Sequence, residues 1–366
     1  METTVVHGAR GWAWKGDKVS FHLTEAGGHV GAVEFRLPGG GVVRPYSLAP
    51  WAADACPGEA PVLLRVLRGD FFCLPFGDDG PEIPPHGDAA NGVWRLESAD
   101  ADGLTATLES GVPTAKVSKR VSARPGQCAL YQEHVVSGAE GRFNYGYHPV
   151  LEFPEAAGVC RVSTAPFRFG SVHPGPFTNP AAGEYSALKA GAEFSGFGEV
   201  PLAAGGTTDL GRYPAREGFE DLVMVTAADP EFGWTAVTFP DYVWISLKNT
   251  HLFPSTLLWI SNGGRHQLPW GGKHRRRMGI EDVCGYFCEG LTASRKDLLR
   301  DRGIPTTGEF RAEEARRFPS VHVVAPVDGG AGAVSAVERV DGGLRVRFRS
   351  GAETEAAVDW TFLYAD

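Results

Sequence analysis

Hydrophobic and polar positions alternate with period two along much of this chain. Residues 18–43 contain Val19-Ser20-Phe21-His22-Leu23 and then Val30-Gly31-Ala32-Val33-Glu34-Phe35-Arg36-Leu37, with glycines between them. Alternation of this kind bounded by Gly-Gly predicts a β-hairpin. Residues 104–108, 115–121 and 129–136 repeat the pattern, and Asp-Gly, Gly-Val-Pro and Arg-Pro-Gly turns between them predict a meander. Further strands are expected over 219–225, 235–239, 242–248 and 256–259, where β-branched and aromatic residues concentrate. Residues 63–77 read as an apolar strand broken by Arg68-Gly69-Asp70 and closed by Pro75 and Gly77, and residues 154–216 as long connections with little periodicity. One short helix is predicted over 291–302, with Thr292 as N-cap and Gly303 just past its end. The tail returns to strand at 321–324, 344–348 and 360–363, and no Pro/Ser-rich linker sets it apart. The expected architecture is an all-β, large antiparallel supersandwich: one domain over 1–366, with 321–366 as extra strands on the same sandwich.

Composition agrees with that pattern. The 48 glycines and 26 prolines in 366 residues favour many turns and short strands. A net charge of -9 argues against a nucleic-acid partner, because phosphate affinity comes from an excess of Lys and Arg on one face. No apolar run reaches membrane-spanning length, so no membrane partner is expected. The first residues lack the basic and apolar regions of a secretory signal. The six cysteines are scattered without paired CxxC arrays and read as free thiols of a cytoplasmic protein. Cys284 and Cys288 alone would be only half of a metal site.

Three polar sites carry candidate chemistry. His148 lies in Tyr147-His148-Pro149, where proline ends strand pairing and places the imidazole at a strand end. His86 lies in a Pro-, Gly- and Asp-rich loop, and Glu281 lies in Gly279-Ile280-Glu281-Asp282. Imidazole titrates near neutral pH, so these residues suit proton transfer if they meet in one cleft. Arg68 stands in an apolar stretch and needs a partner, either a structural one or a hydroxyl or phosphate of a ligand. Glu220 and Asp221 are adjacent on a strand, so at most one of them faces a given pocket. Lys273, Arg275, Arg276 and Arg277 form either a solvated rim or a cationic surface that steers an anionic ligand.

The order of Arg68-Gly69-Asp70, Leu74-Pro75-Phe76-Gly77, Pro85-His86-Gly87 and Trp94 resembles the aldose 1-epimerase (galactose mutarotase-like) superfamily, nearest to its hexose-6-phosphate mutarotase branch. Tyr147-His148-Pro149 is similar to the family's second histidine motif, Gly-Ile-Glu281 to its late catalytic glutamate, and Asp221 to an acidic residue that binds a sugar hydroxyl. Within that resemblance the chain departs at Tyr147, at Val150-Leu151 after the proline, and at Asp88 after Gly87. The resemblance implies a mutarotase that interconverts the anomers of an aldose or aldose phosphate by general acid–base ring opening, with a small-molecule sugar or sugar phosphate as its partner. Glu281 is then the base, His148 the acid and His86 a second donor. Arg68, Asp221 and Arg275 would contact substrate, and Trp270 would offer an apolar face. That chemistry needs no metal or organic cofactor. Two alternatives use the same residues: a non-catalytic carbohydrate-binding protein on the same fold, and a metal-dependent β-fold enzyme with a 2-His-1-carboxylate site.

Overall fold

The computed structural model describes residues 2–365. A nine-stranded antiparallel sheet runs, in spatial order, through Arg212–Tyr213, Cys160–Thr164, Phe232–Thr238, Tyr242–Asn249, Arg316–Pro326, Ala129–Ser137, Thr114–Ala123, Gly103–Gly111 and Arg95–Ala99. A seven-stranded sheet faces it, ordered Phe167–Val172, Phe219–Ala227, Ser255–Asn262, Arg277–Cys284, Tyr145–Tyr147 and Phe72–Cys73, with Val150–Glu152 also paired to Arg277–Cys284. The inner faces share one core, in which Leu104, Val117 and Leu130 of the first sheet meet Tyr147, Leu258 and Ile280 of the second. The predicted hairpin is present as Val19–Thr24 and Val30–Arg36, within a five-stranded sheet that closes one end of this core. Among the described residues no helix is long and apolar enough to cross a membrane.

Four local expectations need correction. Residues 63–77 are not one strand: a helical turn at Val62–Arg65 precedes a two-residue strand at Phe72–Cys73. The turn sends Leu63 into one apolar cluster with Leu67, so period-two reading fails where a single turn of helix separates the apolar residues. The helix expected over 291–302 is a five-residue helix, Gly290–Ser294, and a separate 3-10 turn, Arg300–Arg302. Asp297, held at φ 51°, interrupts them. Its N-cap is Glu289, while the Thr292 amide is satisfied from outside by the Asp79 carboxylate. The loose stretch 154–216 contains two full strands of the sandwich, Cys160–Thr164 and Phe167–Val172. Of the C-terminal strands only Arg316–Pro326 joins the sandwich, and the strand expected at 360–363 is a 3-10 turn, Trp360–Leu363. Val334–Val340, Gly343–Phe348 and Glu353–Ala357 form a separate three-stranded sheet. It adds a third layer on the outer face of the nine-stranded sheet, where Val337, Leu344 and Val346 pack on Ile245, Val321 and Val323.

Strand parity fixes where chemistry can occur. On Arg277–Cys284, Ile280 and Asp282 point into the sandwich, where Asp282 accepts hydrogen bonds from Ser246 and Thr256 and lies 2.8 Å from Lys248 Nζ. Glu281 points the other way, onto the outer face of the seven-stranded sheet. There Leu63, Phe71, Leu222, Trp259 and Trp270 form a second apolar cluster under the connecting loops.

Candidate active site

A cavity of about 110 Å³ opens on that outer face, and His86, His148 and Glu281 all line it. Each arrives there for a local reason. His148 follows the strand Tyr145–Tyr147, and its backbone N–H donates to Phe71 O at 2.9 Å and to the buried Asp70 carboxylate at 3.1 Å. Its ring stacks on Phe71 at 4.5 Å between centroids. His86 has a left-handed backbone (φ 63°), uncommon for a residue with a side chain, and is followed by Gly87 at φ 73°. A Cβ on Gly87 would lie 2.0 Å from Leu74 O, so only glycine fits this approach of the loop to the strand. The His86 ring accepts the Gly77 N–H at Nδ1 (3.3 Å), which leaves Nε2 as the protonated nitrogen. It stands edge-on to His148 with centroids 5.0 Å apart.

The central contact is His148 Nε2 to Glu281 Oε1, 3.2 Å, between two fully buried side chains. Gly279, two residues before Glu281 and on the same face, leaves room for it: a Cβ there would lie 2.4 Å from the Glu281 carboxylate. Burial pushes Glu281 well above the usual carboxylate range, opposed by the Arg265 charge. Burial also pulls His148 well below the usual imidazole range, reinforced by His86. His86 itself is pulled down to about 4 by burial. Burial thus works against the charged form of both partners in the resting pair.

The residues expected to contact substrate divide into two groups. Trp270 lines the cavity, edge-on to Trp259 at 5.9 Å. Arg68 does not reach it: its buried guanidinium donates to the carbonyls of Val6, His7 and Val66, tying the N-terminal strand to the body of the fold. Arg275 donates to Gly272 O and to Glu217 on the exposed surface. Asp221 faces the interior of the sandwich, where it accepts the N–H groups of Ala187 and Leu188, and burial pushes it up to about 6. Its neighbour Glu220 is the carboxylate on the cavity side, accepting from Trp259 Nε1 at 3.0 Å and Ser261 Oγ at 2.7 Å. Burial pushes Glu220 up to about 7.

Arg265 is the cation that lines the cavity. Its guanidinium rests against the rings of Phe177, Trp259 and Trp270, 5.1–5.5 Å from their centroids. It lies in the same polar stretch as the predicted rim cations, and nothing in its spacing separates it from them. Glu220 was within reach of the sequence. It lies two residues from Leu222, a cavity residue on the same strand, so parity alone assigns it to this face.

For a metal, the expected trio is not the tightest donor set. Among the described residues, the group whose His, Cys, Asp or Glu donor atoms all lie within 4.8 Å of one another is His173, Cys288 and Glu289.

No protein-family model matches the sequence, and no curated protein matches it. Solved structures do match. A candidate aldose 1-epimerase from Escherichia coli K12 aligns over 86% of this chain and 99% of its own, with a TM-score of 0.56 at 13% identity. Another from Klebsiella pneumoniae aligns over 88% of this chain and 81% of its own, with a TM-score of 0.58 at 14% identity. A galactose mutarotase-related enzyme from Lactobacillus acidophilus aligns over 87% and 98%, with a TM-score of 0.54 at 13% identity. The chain has the galactose mutarotase-like fold. At these identities the likeness is one of fold, and the chemistry has to be argued from the cavity of this chain.

Proposed function

We propose that this galactose mutarotase-like chain is an aldose mutarotase working through the His148–Glu281 pair. The observation that carries this reading is the 3.2 Å contact between an imidazole nitrogen and a carboxylate oxygen, both on the wall of a cavity lined by Trp259 and Trp270. Flat apolar rings beside a few polar groups suit the alternating faces of a sugar.

Ring opening needs a base at the anomeric hydroxyl and an acid at the ring oxygen. The charged form of the pair, carboxylate beside imidazolium, supplies both. Sugar hydroxyls entering the cavity donate to Glu281, and Arg265 already opposes the effect of burial on that carboxylate, so substrate binding favours the charged form. Glu281 then takes the proton of the anomeric hydroxyl. The freed oxygen pair forms the aldehyde C=O while the bond from the anomeric carbon to the ring oxygen breaks. That ring oxygen takes its proton from His148. The pair is now neutral, the state that burial favours, while the open-chain aldehyde rotates about its first carbon–carbon bond. Reversal of the same transfers closes the other anomer. His86, protonated on Nε2, is the additional donor for the ring oxygen. Each proton transfer by a positioned group contributes roughly 10²–10⁴-fold.

The test is polarimetry, or exchange NMR, on freshly dissolved α-D-glucose, α-D-galactose and their 6-phosphates. Catalysed anomer exchange above the buffer rate in at least one is expected. Binding without acceleration would favour a carbohydrate-binding protein on this fold, and neither binding nor acceleration would remove the sugar reading.

A further inference from the structure

We propose that His173, Cys288 and Glu289 form a binding site for a zinc-like divalent cation at the edge of the cavity. Three lone-pair donors of different chemistry converge there, with donor atoms all within 4.8 Å of one another. His173 Nε2 lies 2.7 Å from Glu289 Oε1, and His173 is buried while Glu289 is partly open to solvent. Neither partner of this pair hydrogen-bonds to a lysine or arginine among the described residues, so no protein cation occupies the point of convergence. The other ring nitrogen, Nδ1, is anchored to the Gly175 backbone, 3.2 Å from its carbonyl oxygen and 3.3 Å from its N–H, which holds the ring with Nε2 turned toward Glu289 and Cys288. A nitrogen, a thiolate and a carboxylate are the ligand set of a borderline-soft ion, and three protein ligands leave a tetrahedral ion one open position.

The fold brings the three together from distant segments. His173 follows the strand Phe167–Val172, and Cys288 and Glu289 lie between Arg277–Cys284 and the helix Gly290–Ser294. Phe287 takes a left-handed backbone (φ 47°), costly for a large side chain, and turns the next two residues toward His173, against which its own ring packs. Cys284, four residues earlier, goes elsewhere: its thiol lies 3.7 Å from Pro305 O. Cys288 lines the cavity and Glu289 does not, so an ion held here has the cavity on one side and solvent on the other. The site shares no ligand with His148, His86 or Glu281, and it stands or falls separately from the mutarotase reading.

Cobalt(II) reports such a site directly, because a bound thiolate gives a charge-transfer band that oxygen and nitrogen ligands do not. Metal-free full-length protein titrated with cobalt(II) should bind one equivalent, develop this band together with the intense visible bands of four-coordinate cobalt, and lose both when zinc(II) is added. Cys288→Ser should abolish the band, while Cys284→Ser should keep it. Glu289→Gln, at a position open to solvent, should weaken zinc(II) binding by roughly tenfold or more. Absence of one-equivalent binding would overturn the proposal. So would cobalt bound without the thiolate band, or a band that survives in Cys288→Ser. If Cys288→Ser does not fold, an unchanged zinc(II) affinity in Glu289→Gln overturns it.

Discussion

Replacing Glu281 by glutamine separates catalysis from stability at one position. The carboxylate is buried and its polar contact with the protein is the 3.2 Å approach to His148 Nε2. Glutamine has the same shape and can donate to that nitrogen, so the contact itself survives. What it cannot do is take a proton. Loss of a general base costs roughly 10²–10⁴-fold in rate, or about 3–5 kcal/mol of barrier at 1.36 kcal/mol per decade. Stability should behave differently. The folded carboxyl titrates above its ordinary value of 4.5, so its contribution to stability is complete below that value and declines as pH rises through the folded one. Glutamine has no such decline. The variant should match wild type in thermal unfolding in mildly acid solution and gain on it as pH is raised. Exchange NMR of a sugar that the wild type turns over, run beside unfolding curves across pH, reads both quantities. A variant that retains the wild-type rate within about threefold would refute the role of Glu281, since loss of a general base typically costs about 10²-fold or more. A variant that falls further behind wild type as pH rises would refute the upward shift of Glu281.

The remaining predictions concern residues around this pair. Arg265→Gln removes the charge that opposes burial at Glu281, so the acid limb of the pH–rate profile should move to higher pH and the rate at a fixed neutral pH should fall. An unmoved limb would detach Arg265 from the carboxylate. Gly279→Ala places a methyl group 2.4 Å from the Glu281 carboxylate and must displace it. A shift of that order should cost about 10²-fold in turnover with much smaller change in sugar affinity, measured by comparing kcat with KM. Arg68→Met leaves three carbonyl oxygens without their donor. It should lower stability by about 3 kcal/mol or more in denaturant titrations while sparing sugar binding, and lost binding in the folded variant would return Arg68 to the site.

Much of the sandwich is legible in the chain because period two reports burial on one face. The hairpin at 18–43 and the meander over 103–137 needed little else. Legibility ends where burial has another cause. The apolar run at 62–67 is buried by a helical turn, and strands inside 154–216 are short and separated by Gly- and Pro-rich turns that mask their alternation. At the site, His86, His148, Glu281 and Trp270 could be named because strand ends and loop histidines are few and chemically distinctive. Arg68 and Arg275 could not be placed, since the sequence does not reveal whether a guanidinium meets backbone carbonyls, a surface carboxylate or a ligand. Asp221 and Glu220 are neighbours, and in a strand one residue exchanges the two faces: Asp221 meets the amides of Ala187 and Leu188, while Glu220 meets Trp259 and Ser261.

The pairing of Tyr145–Tyr147 with Arg277–Cys284 has a kinetic consequence. Tyr145 lies opposite Cys284 and Gly146 opposite Val283, so His148 and Glu281 meet only when segments far apart in the chain have docked. Contacts of such long sequence separation carry a large loop-closure entropy and form slowly. The meander over 103–137, built from neighbouring strands, can assemble without them. A chain that has left the ribosome only as far as His148 therefore carries four strands of the nine-stranded sheet, and His148 waits for Glu281 until the strand Arg277–Cys284 pairs beside Tyr145–Tyr147.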